Sequence, residues 1–264
     1  MWAASQEKVY GMATTTKHRA WGFVLGLDID NVTANSSQRA LDMLNKAYKF
    51  REGPILRDEV TVRPFYKSPG LALRTPITKN PDGTSVSGVP KEVIEKFLDA
   101  AWRENYLEIQ LVDKGLPDVL RALRSEGVMV PVITTMGSRD HSLRRNLYDW
   151  LEKKGVPYDG VVEYDGELKF AVMGGNIMFV NGNADKVNAS VEGQRFHSIV
   201  DDEHKLAIDL SATGRHGIVY DAPWNWEFAE EHMRNPQANP LITIVHNAAE
   251  LYNTVSELNK ALRS

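Results

Sequence analysis

Two aspartates stand two residues apart in Asp28-Ile29-Asp30, and another two are adjacent at Asp201-Asp202. Between them in the chain lies a hydroxyl pair, Thr134-Thr135. Each set follows a short apolar run: Phe23 to Leu27, Ile199-Val200 and Val128 to Ile133 respectively. Carboxylates brought from two such run ends can hold Mg²⁺, a hard cation that takes oxygen ligands and few protein contacts. The metal offsets the charge that otherwise keeps a carboxylate from approaching a phosphate. One carboxylate can then attack phosphorus, and a second, two residues on, can protonate the leaving oxygen. Hydroxyls and amides at Thr134 and Thr135 can hold phosphoryl oxygens, while a lysine neutralises the remaining charge. Singly, an Asp-x-Asp or a Thr-Thr pair is often just a turn or a helix cap. Their joint placement at successive run ends is what points to phosphoryl transfer.

The elements that must position them are legible as a pattern. The three runs, with Ile218 to Tyr220 and Leu241 to Val245, are short and rich in β-branched residues, as buried parallel strands are. Helical spacing separates them: Leu116, Val119, Leu120 and Leu123 before Gly127; Leu143, Leu147 and Leu151 before Gly155; Leu206 and Leu210 before Gly214; and Ala248, Leu251, Val255, Leu258 and Leu262. This alternation predicts an α/β fold, a doubly wound Rossmann-like parallel sheet. Ligands in such sheets bind outside the carboxyl ends of the strands, where the aspartates and threonines fall.

One interval breaks the alternation. Residues 34–115 are too many for a single crossover, and they predict a mainly helical cap inserted after the first strand. Its helical patterns run Leu41 to Tyr48 and Val93 to Tyr106, around a loop rich in Pro, Gly, Ser and Thr. The expected organisation is a solvated extension over 1–20, an α/β core over 21–33 and 116–264, and the cap over 34–115.

Composition narrows the classes. With no cysteine, thiolate metal sites, disulfides and cysteine nucleophiles are all excluded. A formal charge of −4 argues against a general electrostatic grip on nucleic acid or anionic lipid. No apolar run approaches the ~18 residues of a membrane span. The first residues carry Glu7, Lys8, Lys17 and Arg19 with no apolar block, so no secretory signal is read there and a cytoplasmic location is expected.

The motifs Leu25-Gly-Leu-Asp-Ile-Asp-Asn-Val, Val132-Ile-Thr-Thr-Met-Gly-Ser, Asn183-Ala-Asp-Lys and Ile199-Val-Asp-Asp-Glu, in that order, resemble the four motifs of the haloacid dehalogenase superfamily of phosphohydrolases. Within it, the stretches Ile109 to Gly127 and Gly217 to Trp226 resemble the 5′(3′)-deoxyribonucleotidase branch. The resemblance implies Asp28 as the nucleophile that forms an aspartyl-phosphate, and Asp30 as the general acid/base whose main-chain carbonyl also touches Mg²⁺. It implies Thr134 and its neighbour Thr135 as the phosphate-holding hydroxyl pair, and Lys186 as the neutralising lysine. Asp201 and Asp202 are implied as metal acids, so the implied Mg²⁺ set is Asp28, Asp30, Asp201 and Asp202. Asn31 stands where the branch has glycine; asparagine tolerates left-handed backbone, so the turn survives. Residues 161–182 carry an apparent insertion that includes Lys169, a second candidate for the lysine role.

Specificity is expected from the cap. Phe65 and Tyr66 have flat faces that can stack on a base, with Arg63 and Lys67 beside them. Trp102 and Tyr106, at helical spacing, read instead as packing of a cap helix. The expected function is Mg²⁺-dependent hydrolysis of nucleoside monophosphates. The alternatives are another small phosphomonoester such as a sugar phosphate, nucleic-acid 3′-phosphate ends, or a non-catalytic binding protein on the same fold. The expected partner is a small nucleotide, with no membrane and no nucleic acid; a homodimer stays open.

Overall fold

Phe23, Leu25 and Leu27 of the first strand fall in one buried cluster, whereas Val24 falls in another. A strand apolar on both faces belongs inside a covered parallel sheet, and that is where the computed structural model places it. The structure describes residues 22–50, 52–61, 68, 71, 89–136, 141–158, 163–164, 169–170, 177–191 and 194–264. The expected extension over 1–20 lies outside them.

In chain order the strands are β1 (Phe23–Leu27), β2 (Val128–Met129), β3 (Ile133–Thr134), β4 (Glu163–Tyr164), β5 (Lys169–Phe170), β6 (Met178–Phe179), β7 (Ser190–Val191), β8 (Gln194–Arg195), β9 (Ser198–Asp201), β10 (His216–Tyr220) and β11 (Ile242–Val245). The helices are α1 (Ser36–Ala47), α2 (Lys91–Arg103), α3 (Leu116–Ser125), α4 (His141–Lys154), α5 (Asn183–Asn188), α6 (His204–Ser211), α7 (Trp226–Arg234) and α8 (Ala248–Arg263). The central sheet runs β11-β10-β9-β1-β2, all parallel. Helices α3 and α8 pack on β2, β1 and β11, while α6 packs on β9 and β10. Val24 shares its cluster with Leu206 and Leu210 of α6, so the sheet is covered on both faces. Gly217 is what lets α6 lie so close: a Cβ there would stand 2.6 Å from the Ala207 Cα. The α/β expectation is met.

The run from Val128 to Ile133 is not one strand. Pro131 has no N–H to give a ladder, and its carbonyl instead accepts from the Leu27 N–H at 2.9 Å. Beyond it, β3 leaves the central order and pairs with β6, Ile133 against Met178 and Thr134 against Phe179. Part of the insertion over 161–182 is therefore an extra strand beside β3. Another part is a two-stranded hairpin of β4 and β5.

The segment after β1 leaves and returns side by side. Ala34 bridges Leu111, the Asn35 N–H donates to the Gln110 carbonyl at 2.8 Å, and the Val112 N–H to the Thr33 carbonyl at 3.0 Å. Within it α1 packs on α2 over a cluster that includes Leu41, Leu44, Phe50, Ile55 and Ile94. Helix α2 stops at Arg103, and Tyr106 opens a separate short turn, Tyr106–Glu108. The single helix expected as far as Tyr106 is thus broken, and the Tyr106 hydroxyl donates to Asp149 of α4 at 2.7 Å. Among the described residues, no helix is long and apolar enough to cross a membrane.

Candidate active site

Strand register brings the first carboxylates together. Leu27 pairs with Val200, and the Asp28 N–H donates to the Val200 carbonyl at 3.1 Å. Asp28 and Asp201, each the next residue along, therefore leave adjacent strand ends. Asp28, Asp201 and Asp202 each offer an oxygen within 4.8 Å of the others, and all three are buried. The loop after β9 is fixed from several sides. The Glu203 N–H donates to Asp201 Oδ1 at 2.9 Å, while Trp224 Nε1 and Asn225 Nδ2 donate to the Asp202 carbonyl at 2.8 and 2.7 Å.

A buried acidic group of this kind needs a counter-charge. Lys186, on α5, supplies it: Nζ lies 2.7 Å from Asp28 Oδ1 and 2.6 Å from Asp201 Oδ2. Helix α5 is tied to the acidic loop, because Asn183 Nδ2 donates to Glu203 at 2.8 Å. Burial pulls the Lys186 ammonium down, but the attraction of Asp201 and then Asp28, with hydrogen bonds to both, outweighs it and the net shift is upward. Asp28 is pushed well above the usual carboxylate range by burial. Lys186 opposes that shift, and the neighbouring Asp201 and Asp202 add to it. Three carboxylates sharing one ammonium leave excess negative charge in a site with only oxygen donors. That donor set fits Mg²⁺.

Asp30 is placed differently. Its Oδ1 accepts from Ser36 Oγ at 2.6 Å and from Trp102 Nε1 at 2.9 Å. Its carboxylate is therefore engaged apart from the three-aspartate group; the Mg²⁺ contact that the resemblance implies for Asp30 is through its main-chain carbonyl. The loop from Asp28 to Ala34 is held by Thr33 Oγ1, which donates to the Asp28 carbonyl at 2.8 Å, and by the Asn31 N–H on the Ala34 carbonyl at 2.7 Å. Asn31 takes φ 61°, as the turn requires, and its Oδ1 accepts from the Ser37 N–H at 3.2 Å. The side chain that tolerates the left-handed turn thus also anchors the start of α1.

Thr134 is buried at the end of β3, two residues beyond Val132, which bridges Leu27. Its Oγ1 accepts from the Met136 N–H at 3.2 Å, and Thr135 is exposed beside it. Both follow Val132 of the Leu27–Val132 bridge closely along the chain, as Asp28 follows Leu27. Phe65 and Tyr66, with Arg63 and Lys67, lie outside the described residues, and so does the side chain of Lys169.

Four contributors were not given their roles from the sequence. Ser36 and Trp102 hold Asp30, and Trp224 and Asn225 hold the loop of Asp202. The stretch Asp221 to Asn225 carried a faint signal, an aromatic and an amide directly after a strand end. Ser36 carried none. Trp102 was read as packing, and it does pack, edge-on to Trp150 at 5.7 Å, but its indole N–H has the second task.

Arg57, in the short turn Arg57–Glu59, completes the surroundings. Its guanidinium lies 5.9 Å from the Trp224 ring centroid, and its Nε and Nη2 are buried with no hydrogen-bond partner among the described residues. Burial lowers its pKa from the usual value, while Asp202, Asp221 and Tyr220 pull the other way. It lines a narrow apolar cleft with Ser37, Leu41, Leu71, Phe97 and Leu98.

No protein-family model and no curated protein matches the chain. Among solved structures the chain is similar to a phosphonoacetaldehyde hydrolase-like protein from Oleispira antarctica. The two are 13% identical, with a TM-score of 0.47 over 91% of this chain and 93% of that one.

Proposed function

We propose that the chain is a phosphohydrolase of the haloacid dehalogenase type that acts on nucleoside monophosphates, deoxyribonucleotides foremost. The observation that carries the hydrolase reading is the buried group of Asp28, Asp201 and Asp202 around one ammonium, with Asp30 two residues beyond the first aspartate. Asp28, Asp201 and Asp202 would hold Mg²⁺, which when bound would offset the charge of the approaching phosphoryl oxygens.

The protein's own residues then divide the work. Asp28 Oδ1 is engaged by Lys186, and Oδ2 has no hydrogen bond among the described residues. An Asp28 oxygen attacks phosphorus; the bond from phosphorus to the ester oxygen breaks, and the leaving alkoxide takes a proton from Asp30. Water then attacks the aspartyl-phosphate and gives its proton back to Asp30, the bond from phosphorus to Asp28 breaks, and phosphate leaves. Lys186 balances the negative charge throughout.

The nucleotide reading rests on the motif resemblance and on the insert acting as a cap. The strand ends offer carboxylates, hydroxyls and an ammonium, which suit a phosphate and a metal but do not recognise a base or a sugar. The narrow cleft that Arg57 lines offers apolar walls, and the arginine's buried Nε and Nη2 lack acceptors among the described residues. A planar leaving group with ring carbonyls is the class of ligand that would suit both.

The test is inorganic phosphate release from ribo- and deoxyribonucleotides, sugar phosphates and a 3′-phosphorylated oligonucleotide, with Mg²⁺ and with a chelator. Metal-dependent release from the nucleotides above the others is expected. Release from none of them would overturn the hydrolase reading; preference for a sugar phosphate or the oligonucleotide would overturn the nucleotide reading alone.

A further inference from the structure

Asp30 accepts two hydrogen bonds, and both fall on the same oxygen. Ser36 Oγ stands 2.6 Å and Trp102 Nε1 2.9 Å from Oδ1. Both donors are nearly removed from solvent, each at 4% exposure. The backbone that carries each is fixed. Ser36 opens α1, with its N–H on the Ala34 carbonyl at 2.8 Å. Trp102 is held edge-on by Trp150 at 5.7 Å, and its carbonyl accepts from Asn146 Nδ2 at 2.8 Å. Trp150 is in turn fixed by its own indole N–H on the Ile109 carbonyl at 3.0 Å.

We propose that Trp102 and Ser36 are positioning residues that hold Oδ1 of Asp30 as a permanent acceptor, so that Oδ2 is the oxygen that exchanges a proton with the leaving group. The reason is elementary. A carboxyl group carries its proton on one oxygen, and the hydroxyl oxygen of a carboxylic acid is a poorer acceptor than its carbonyl oxygen. Two donors already aimed at Oδ1 leave the carbonyl role there and the O–H on Oδ2. Indole N–H, a donor only, cannot reverse the arrangement. Geometry also favours catalysis: an acid must stand within hydrogen-bond reach of the atom it protonates, and a carboxyl free to rotate spends much of its time misaligned. Trp102 lies near the end of α2 and Ser36 at the start of α1, so the acid is oriented by the insert, not by the sheet that bears the nucleophile.

This inference rests on the phosphohydrolase reading. Trp102→Phe keeps an aromatic ring in the site and removes the N–H; Ser36→Ala removes the hydroxyl. Each variant is assayed on phosphomonoesters graded by leaving group, from alkyl alcohols to p-nitrophenol, with thermal unfolding as a check on folding. A poor leaving group needs its proton in the transition state and a good one does not. On the alkyl esters kcat should fall about 10-fold in either variant, a step within the range that acid catalysis contributes, while p-nitrophenyl phosphate stays within about 2-fold. Ser36→Thr, which retains a hydroxyl, should restore the alkyl activity. In the ¹H–¹⁵N spectrum, the indole signal that disappears in Trp102→Phe should shift in Asp30→Ala. Equal loss on every ester, or none on any, overturns the inference, as does an indole signal indifferent to Asp30. A wild type inactive on all the esters would instead overturn the phosphohydrolase reading. If Trp102→Phe fails to fold, Ser36→Ala and its threonine rescue decide alone.

Discussion

Two buried cations lie in the field of the strand-end aspartates, one paired and one not. Lys186, at 3% exposure, meets Asp28 at 2.7 Å and Asp201 at 2.6 Å. Arg57 comes from the insert, and its buried Nε and Nη2 have no partner among the described residues. A buried charge is tolerated when it is paired, and a buried donor without an acceptor costs about 1–3 kcal/mol. The lysine is therefore part of the resting architecture: take it away and two carboxylates are stranded. The arginine is a group whose pairing is left for something else to complete. The sheet end is built to hold charge in place, and the insert to receive.

The sharpest break in that contrast is Asp28→Asn. Activity should fall by about 10⁴-fold or more, because the amide can neither attack phosphorus nor serve as an anionic ligand. Stability should not fall with it. Burial raises Asp28 from its ordinary value, so the folded chain binds a proton there more tightly than the unfolded chain does. Its contribution is fully present below the ordinary value of 3.8 and is lost as pH rises through the folded value. Removing the carboxylate removes that loss. Unfolding curves in chelator at several pH values check this: Asp28→Asn should match or exceed the wild type at neutral pH. A variant both inactive and strongly destabilised would make Asp28 a structural anchor.

Lys186→Met should behave in the opposite way on stability. Two carboxylates lose their only described ammonium, and destabilisation of about 3–5 kcal/mol is expected. Turnover should drop about 10²–10³-fold, the usual cost of losing one charge-stabilising group. Adding Asp28→Asn to Lys186→Met should recover part of the stability and none of the activity. Lys169→Ala is the control and should leave turnover mostly intact; the reverse pattern would move the lysine role to β5.

Much of this was legible in the sequence, for a physical reason. Strand ends in a parallel sheet are forced together by hydrogen-bond register, so Asp28 after Leu27 and Asp201 after Val200 had to meet once the strands were recognised. Lys186 was placed by the resemblance of Asn183-Ala-Asp-Lys to the third motif, and the buried aspartates it meets give the physical reason for a cation there. Helix ends marked by Gly127, Gly155 and Gly214, all at positive φ, were equally readable. The near-continuous apolar run from Val128 to Ile133 hid the break that Pro131 makes between β2 and β3. Ser36 and Trp102 were unreadable because their bonds to Asp30 depend on how a long insert closes, and no local spacing encodes a contact between residues 30 and 102. Arg57 has the same difficulty: its neighbours Trp224 and Asp202 lie far along the chain.

Arg57→Gln tests the receiving side of the contrast. KM for a nucleotide should rise about 10–100-fold, the worth of a charged hydrogen bond, with kcat little changed. A small aryl phosphate that cannot reach the cleft should be hydrolysed as before. Stability should hold or rise slightly, because a guanidinium with unpaired buried donors has been removed. A loss shared by both substrates would tie Arg57 to the aspartates instead of to the leaving group.

The smallest effect belongs to the sheet alone. His197 stacks on Phe23 at 5.1 Å, and its Nδ1 accepts from the Val24 N–H at 3.0 Å. An accepting Nδ1 cannot carry a proton, so the folded state requires the neutral ring, and burial lowers its pKa below the ordinary 6.5. A depressed value in the folded state gives stability that is present above 6.5 and lost as pH falls through the folded value. Protonation breaks one hydrogen bond, worth about 1 kcal/mol, or about 2–4 °C in Tm for a chain of this size. His197→Asn supplies an amide oxygen where Nδ1 stood and has nothing to titrate. Between pH 7 and 5 its Tm should therefore fall less than that of the wild type. Some acid loss should remain, since His216 is also lowered by burial. Activity at neutral pH should be unchanged, because this ring touches neither the aspartates nor the insert's donors to Asp30. An unaltered acid slope would show that the Val24 bond contributes nothing to the pH dependence, and a loss of activity would extend the site down the sheet.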